Sequence, residues 1–385
     1  MRAAFDVVIA GAGPAGAVAA LVLSRAGVRV ALFDRARFPR HKLCGDTVNP
    51  GALALLRRLG LEDAAGSMSI DGMIVTGEGG VRIVARYPSA TSGRAVLRRD
   101  LDHALLLAAA AAGARIEQEV AVRGPTFTSR AVNGLQIASR AGTVDLVTAR
   151  LVIAADGRAS RIARCLRLSR YPTTPRRWAV GAYFSGVSGL TEYGEMHIRR
   201  RKYIGVAPLP GGLANVCVVT PERSAAGRPL SLLQATVATE PVLRERFAHA
   251  QLTGPPTVLG PLAVECSRAG APGVLLAGDA GGFIDPMTGD GLRFAIRGAE
   301  LAAAEALRVL EHGATDAHAR LQDARRREFG AKWRFNRALR CLVGSPAAVR
   351  LAAAAAARVP STVGRSILYA GDVGVLPPPE ERRPG

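Results

Sequence analysis

A chain of 385 residues, 49% apolar and 21% charged, is long enough to build two interleaved domains and too apolar to be a disordered polymer. Its 51 Lys and Arg against 31 Asp and Glu leave a formal net charge of +20, but the arginines are scattered among Ala, Gly and Leu without interleaved aromatics. That pattern argues against nucleic acid and fits an anionic membrane surface or an acidic carrier protein better. The cysteines, Cys44, Cys165, Cys217, Cys266 and Cys341, show no paired short spacing, so neither a disulfide framework nor a metal site is expected, and a reducing cytoplasm is the natural setting.

The chain enters a strand at once, Asp6-Val-Val-Ile-Ala10, with no export signal expected before it. A glycine-rich turn and an Ala-rich helix follow, then a second strand, Val28-Arg-Val-Ala-Leu-Phe33, ending in Asp34. An irregular stretch over 35–50 leads to a short helix over 52–59, a β-rich stretch over 70–96 and a helix over 100–112. Further strands lead to Leu151-Val-Ile-Ala-Ala155. Residues 178–219 alternate as an antiparallel sheet does, with the turn Pro208-Leu-Pro-Gly-Gly212 inside them. Another apolar strand, Val274-Leu-Leu-Ala277, precedes a loop and a helix ending near residue 311. The remainder is helical and basic. Its Ala-rich run, 352–357, is too short to span a bilayer and reads as a helix packed on the body or lying on a membrane surface.

The strongest chemical signal is Gly11-Ala-Gly13-Pro14-Ala15-Gly16. In such a turn the first glycine permits the tight exit from the strand, the second lets the backbone approach a pyrophosphate, and the third lets helix and strand pack closely. The phosphates then meet the N–H groups of the helix N-terminus. Asp34 lies roughly twenty residues on, where a carboxylate accepts ribose hydroxyls. A glycine-rich turn alone can be merely structural; strand, turn, helix, strand and acid in this order specify dinucleotide binding.

Two later segments extend the pattern. Asp156-Gly157 follows an apolar strand, although such a pair by itself is commonly just a turn. Gly278-Asp279 follows another strand and opens a loop containing Pro286, Gly289, Asp290 and Gly291. Asp279 at a strand end can accept a ribityl or ribose hydroxyl, and the glycines expose backbone N–H groups.

This order of motifs resembles that of the flavoproteins with the fold of para-hydroxybenzoate hydroxylase, and within them the geranylgeranyl reductase-like branch, over nearly all of residues 1–310. The resemblance implies FAD as cofactor, with NADPH or NADH as electron donor. It assigns Asp34, with Arg35 beside it, to the adenosine ribose, Asp279 to the ribityl chain, and Asp156-Gly157 to a segment serving both FAD and a nicotinamide. It sets Pro286, Gly289 and Gly291 along the flavin ring, and Arg98, four residues before Asp102, on the phosphates. Arg40-His-Lys42-Leu-Cys44-Gly45-Asp46 looks like the reductase branch's motif, with Cys44 and Gly45 near the isoalloxazine. Cys44 and Asp290 are the candidate catalytic residues, although a lone cysteine is more often a packing residue.

The expected architecture is α/β: a Rossmann-like FAD-binding domain assembled from 1–69, 97–177 and 260–311, an antiparallel β-sheet substrate domain from 70–96 and 178–259, a helical C-terminal cap over 312–376, and a flexible tail over 377–385. Prenyl reductases of the branch carry Tyr-x-Trp-x-Phe-Pro above the flavin, whereas this chain has Tyr203-Ile-Gly205-Val-Ala207-Pro208. Loss of two aromatics widens the expected substrate channel, which favours a flat ring with a tail over a threaded isoprenoid. The favoured function is therefore an NAD(P)H-dependent monooxygenase of secondary metabolism acting on a hydrophobic aromatic, quinone or polyketide-like metabolite. Reduction of prenyl double bonds is the alternative, and a flavoprotein partner or maturation factor without turnover is the reading from another class. Halogenases of the fold carry Trp-x-Trp-x-Ile-Pro, and neither Trp178 nor Trp333 sits in such a setting. The oligomeric state and any membrane association stay open.

Overall fold

The first strand, Phe5–Ala10, has Val7, Val8, Ile9 and Ala10 fully buried, as a strand covered on both faces must be. In the computed structural model, which describes residues 5–89, 91–174, 176–223 and 227–373, it is the centre of a parallel sheet. Val30–Asp34 and then Arg115–Gln118 lie on one side of it, and the end of Val144–Ala154 and then Val274–Leu276 on the other. The even-facing and odd-facing side chains fill two cores. Val7, Ile9, Leu32 and Ile153 meet helices Pro14–Arg25, Arg98–Ala111 and Gly291–His312 on one face. Val8, Ala10, Phe33 and Val152 meet the antiparallel hairpin Ala121–Thr128/Ala131–Ala138 on the other.

A second sheet runs Trp178–Ser185, Leu213–Thr220, Lys202–Leu209, Tyr193–Arg199, Gly72–Thr76, Arg82–Arg86. All its neighbours are antiparallel except Tyr193–Arg199 against Gly72–Thr76. Its outer face, with Val180, Ile204, Val206 and Val216, packs on Leu233 and Leu243 of helices Pro229–Thr239 and Pro241–Arg244. The β-rich stretch read over 70–96 is divided: Ser67–Ile70 and Gly93–Val96 pair with each other and, through the latter, with Thr47–Val48 in a small sheet of their own. The helices at 229–244 are likewise absent from the sheet reading of 178–259.

Helix Pro50–Leu59 begins where Asn49 accepts the Ala52 N–H at 2.8 Å, two residues before the predicted start. The C-terminal region is three helices, Ala317–Gly344, Pro346–Arg358 and Pro360–Ala370. Ser345 breaks the first from the second, its hydroxyl accepting from Ala348 N at 3.3 Å, and the axis turns by 108° there. No single helix among the described residues is long and apolar enough to cross a membrane. The tail expected over 377–385 lies outside the described residues.

Candidate functional site

The glycine turn is built by contact. Gly11 has φ +95°, and a Cβ there would stand 2.4 Å from Ala155 O; one on Gly16 would stand 1.8 Å from Gly11 O. Helix Pro14–Arg25 can therefore press against the turn only if both positions are glycine. Gly13 differs, since its Cβ would meet nothing nearer than Arg40 Nη2 at 3.7 Å, leaving the helix N-terminus open on that side. Beside it, Asp34 accepts from Ala12 N at 2.7 Å and from Ala36 N at 2.8 Å. The carboxylate is thus fixed at the strand end with lone pairs to spare for hydroxyls.

Between the two sheets lies a cavity of about 360 Å³. From the dinucleotide side its wall takes Gly13, Pro14, Ala15, Gly157, Gly278 and Asp279, and from the loops and the helix starts beside them Cys44, Gly45, Arg98, Pro286, Gly289 and Gly291. The sheet supplies Gly205 and Ala207, which alternate with the buried outer-face residues Ile204 and Val206. Across the strands Gly205 stands opposite Cys217 and Met196, and Ala207 opposite Asn215. A Cβ on Gly205 would meet nothing nearer than 4.0 Å. The C-terminal helices add Phe335, Leu339, Leu342, Val363 and Ile367 to the wall.

The loop end of the cavity is basic. Asp102, fully buried, binds Arg98 at 2.8 and 3.1 Å and Arg40 at 3.3 Å. Burial opposes the Arg98 charge, but Asp102 and the neighbouring Cys44 together outweigh it and raise the guanidinium above its ordinary range. Lys42, in the cavity wall, is lowered by burial and by the neighbouring Arg98, while Asp279 and Asp102 oppose the shift. Sequence reasoning quoted Lys42 inside a motif without selecting it.

It missed a buried polar network beneath Cys44 altogether. Asp46, with φ +50° and no exposure, accepts from Arg98 N at 3.0 Å and from Asn215 Nδ2 at 2.5 Å. Asn215 Nδ2 also donates to Cys44 O at 2.5 Å. Burial pushes the Asp46 carboxyl up to about 6, against the hydrogen bonds it accepts. Both Nδ2 protons of Asn215 are spent on the Cys44 loop, and its buried Oδ1 has no partner among the described residues. Asn215 lines the cavity, so that oxygen is an acceptor for a bound group.

Several expected site residues lie elsewhere. Tyr203 is withdrawn from the channel: its hydroxyl donates to Asp285 at 2.5 Å, and Asp285 pairs with Arg177 at 3.0 Å. Pro208 borders a shallow hollow at the far side of the sheet with Met68, Tyr193 and Pro210. Asp156 turns to the helix Arg161–Cys165, accepting Arg161 N at 2.7 Å. Asp290, expected on the flavin loop, points into a buried cluster with Asn49 (3.3 Å), Asn336 (2.9 Å) and Lys332 (3.5 Å), and burial raises its carboxyl. Lys332 and Arg293 also hold Asp372, at 2.9 and 3.3 Å. Arg35 is exposed and outside the cavity wall.

The pattern of the FAD binding domain matches residues 4–333. The chain is 32% identical over 316 residues, 77% of its length and 75% of the relative's, to menaquinone reductase of Mycobacterium tuberculosis. It is 30% identical over 351 residues, 86% of its length and 84% of the relative's, to digeranylgeranylglycerophospholipid reductase 2 of Methanopyrus kandleri. In structure it is similar to a geranylgeranyl bacteriochlorophyll reductase-like protein of Thermoplasma acidophilum, with a TM-score of 0.80 at 20% identity and 95% of each chain covered, which shows the shared fold.

Proposed function

The chain belongs to the FAD binding domain family and is an FAD-dependent oxidoreductase, and on that premise we propose that it reduces a carbon–carbon double bond in the isoprenoid chain of a lipid or quinone. The observation that carries this reading is the wall of the cavity away from the glycine turn: Met73, Val75, Met196, Ile198, Leu342 and Ile367 offer aliphatic and thioether surface. Glu195 contributes only backbone there, because its carboxylate is held on the sheet's other face by Arg246 at 2.7 Å and His197 at 3.1 Å. Such a wall suits a hydrocarbon chain and gives a polar ring little to bond.

FAD supplies the two-electron redox chemistry when bound. The open side of Gly13 and the spare lone pairs of Asp34 fit a pyrophosphate and an adenosine ribose; Lys42 and Arg98 would complement the phosphate charge, and Asp279, in the same wall, would accept from the polyol hydroxyls. Asn215 and Asp46 hold the Cys44–Gly45 loop in place. Saturating an alkene takes up a hydride and a proton, and the Cys44 thiol, half-buried in the wall, is the side chain we assign to carry that proton at Sγ. The apolar walls exclude water from the reacting carbons, and NADPH or NADH is the donor in this proposal.

A second reading, monooxygenation of a ring-bearing metabolite, is favoured by the empty space over Gly205. The two separate cleanly. Holoprotein given NADPH or NADH and a prenylated quinone under argon should yield, after the ring has been re-oxidised to the quinone in air, a product still heavier by two hydrogens, the gain lying in the isoprenoid chain. A product that forms only in air and carries an oxygen atom from O₂ would overturn the reductase assignment.

A further inference from the structure

Residues 329–371 carry six arginines and one lysine and no Asp or Glu. On helix Pro346–Arg358 the buried residues are Val349 and Ala356, while Ala347, Arg350, Leu351, Ala354, Ala355 and Arg358, all on one face by helical spacing, are exposed. Leu351 is 72% exposed and Val359, at the break before the next helix, is 50% exposed. No carboxylate of the described residues pairs with Arg350, Arg358 or Arg365. Glu78, next to Gly77 at which a Cβ would approach Ala353 Cβ to 3.8 Å, is bound to Arg200 at 3.2 Å. A face of small and aliphatic side chains with unpaired Arg350 along one edge and unpaired Arg358 at its last turn is what lies flat on an anionic bilayer: the apolar strip enters the acyl boundary and the long arginine side chains reach back to the phosphates.

The next helix connects that face to the cavity. Pro360–Ala370 turns Val363, Ser366, Ile367 and Ala370 toward the cavity and Ser361, Thr362 and Arg365 to solvent. A single helix thickness therefore separates the outer surface from the apolar chamber. We propose that the outward faces of Pro346–Arg358 and Pro360–Ala370 dock on an anionic lipid surface, so that a membrane-resident substrate reaches the cavity past this helix pair. The docking rests on the surface alone, and its test involves no turnover, so it stands or falls apart from the proposed reaction.

The experiment is sedimentation of FAD-loaded protein with vesicles of phosphatidylcholine, with and without phosphatidylglycerol. Binding is expected on the mixed vesicles only, and is lost in high salt. Each arginine at an anionic surface multiplies partitioning about fivefold, so Arg350→Gln, Arg358→Gln and Arg365→Gln together should weaken it about a hundredfold. Leu351→Glu alone, which disturbs no buried contact, should weaken it as well. Flavin content and melting temperature, measured on each variant, identify a misfolded one. Absence of binding to the mixed vesicles, equal binding to the neutral ones, or wild-type binding by the FAD-replete triple variant or by Leu351→Glu overturns the proposal, as does capture by an acidic protein without any binding to lipid.

Discussion

Gly205 is the position at which cavity shape can be changed with least disturbance elsewhere. It lies on the cavity face of strand Lys202–Leu209, and a Cβ there would find Cys217 O, Glu195 O and Met196 Cε no closer than 4.0 Å. Gly205→Ala should accordingly fold as the wild type does and gain about 0.4–1 kcal/mol from the lost freedom of the unfolded chain. Gly205→Trp has to send an indole into a chamber of about 360 Å³, on a row whose neighbours are Cys217 and Met196. Forcing extra bulk into a packed site costs about 1–3 kcal/mol, so if the substrate chain passes here its effective affinity should fall by about 5- to 150-fold while FAD stays bound. The assay measures bound flavin by absorbance, melting temperature, flavin bleaching by donor and anaerobic product formation on the same preparations. A folded, FAD-replete Gly205→Trp protein with unchanged turnover would show that the substrate does not pass Gly205. Loss of FAD would instead place the isoalloxazine against that position, and either result refutes the argument.

The glycine turn separates packing from binding. Gly16→Ala drives a methyl to within 1.8 Å of Gly11 O and should fail to fold or melt far below the wild type, whereas Gly13→Val, aimed at open space, should fold but lose flavin on dialysis. Equal flavin retention by Gly13→Val and the wild type would contradict the assignment. Asp279→Ala, which removes a carboxylate from the cavity wall, should weaken FAD binding by about one to two decades, and Asp156→Ala, which removes a helix-capping group, should chiefly lower the melting temperature. Titration of both apoproteins with FAD decides, and equal losses count against it. Asp46 gives a pH test: its carboxyl sits at about 6 in the fold. It titrates near 4 in an unfolded chain, so the fold keeps a proton that the unfolded chain has released, and stability falls as pH rises from about 4 to about 6, by up to about 3 kcal/mol. Asp46→Asn should flatten that stretch of the stability curve in urea titrations; an unchanged slope would mean the carboxyl is not held protonated.

The dinucleotide half was legible because its signals are local. Gly11, Gly13, Gly16 and Asp34 each owe their role to a strand, turn or helix within a few tens of residues, and a continuous apolar run announces a strand covered on both faces. Gly205 and Ala207 were legible through the resemblance of their segment to the prenyl reductases' motif, and the strand sets both on its cavity face. What escaped depends on pairings across the chain. Nothing near Asn215 indicates that it will reach Cys44 and Asp46, which are 171 and 169 residues away. Tyr203 shares a strand face with the channel residues Gly205 and Ala207, but its hydroxyl finds Asp285, 82 residues on, and so leaves the wall. Asp290 sits in a loop whose glycines do face the cavity, and only the approach of Lys332, Asn336 and Asp372 from the C-terminal region turns its carboxylate away. The division of 70–96 between two sheets was hidden for the same reason, since Gly93–Val96 chooses Thr47–Val48 as partner.

The buried cluster around Asp372 sets an order on synthesis. The central strand emerges first, but its outer neighbour Val274–Leu276 comes late, and the carboxylate that neutralises Lys332 and Arg293 later still. Until residue 372 has left the ribosome, these two cations beside the Gly289–Asp290–Gly291 turn lack one of their counter-charges, and the dinucleotide site is a scaffold without its final clasp. Nascent chains stalled between the last core strand and this carboxylate should therefore be captured by chaperones and cut by proteases at the turn, while completed chains resist. Addition of FAD should protect the complete chain far more than the stalled ones.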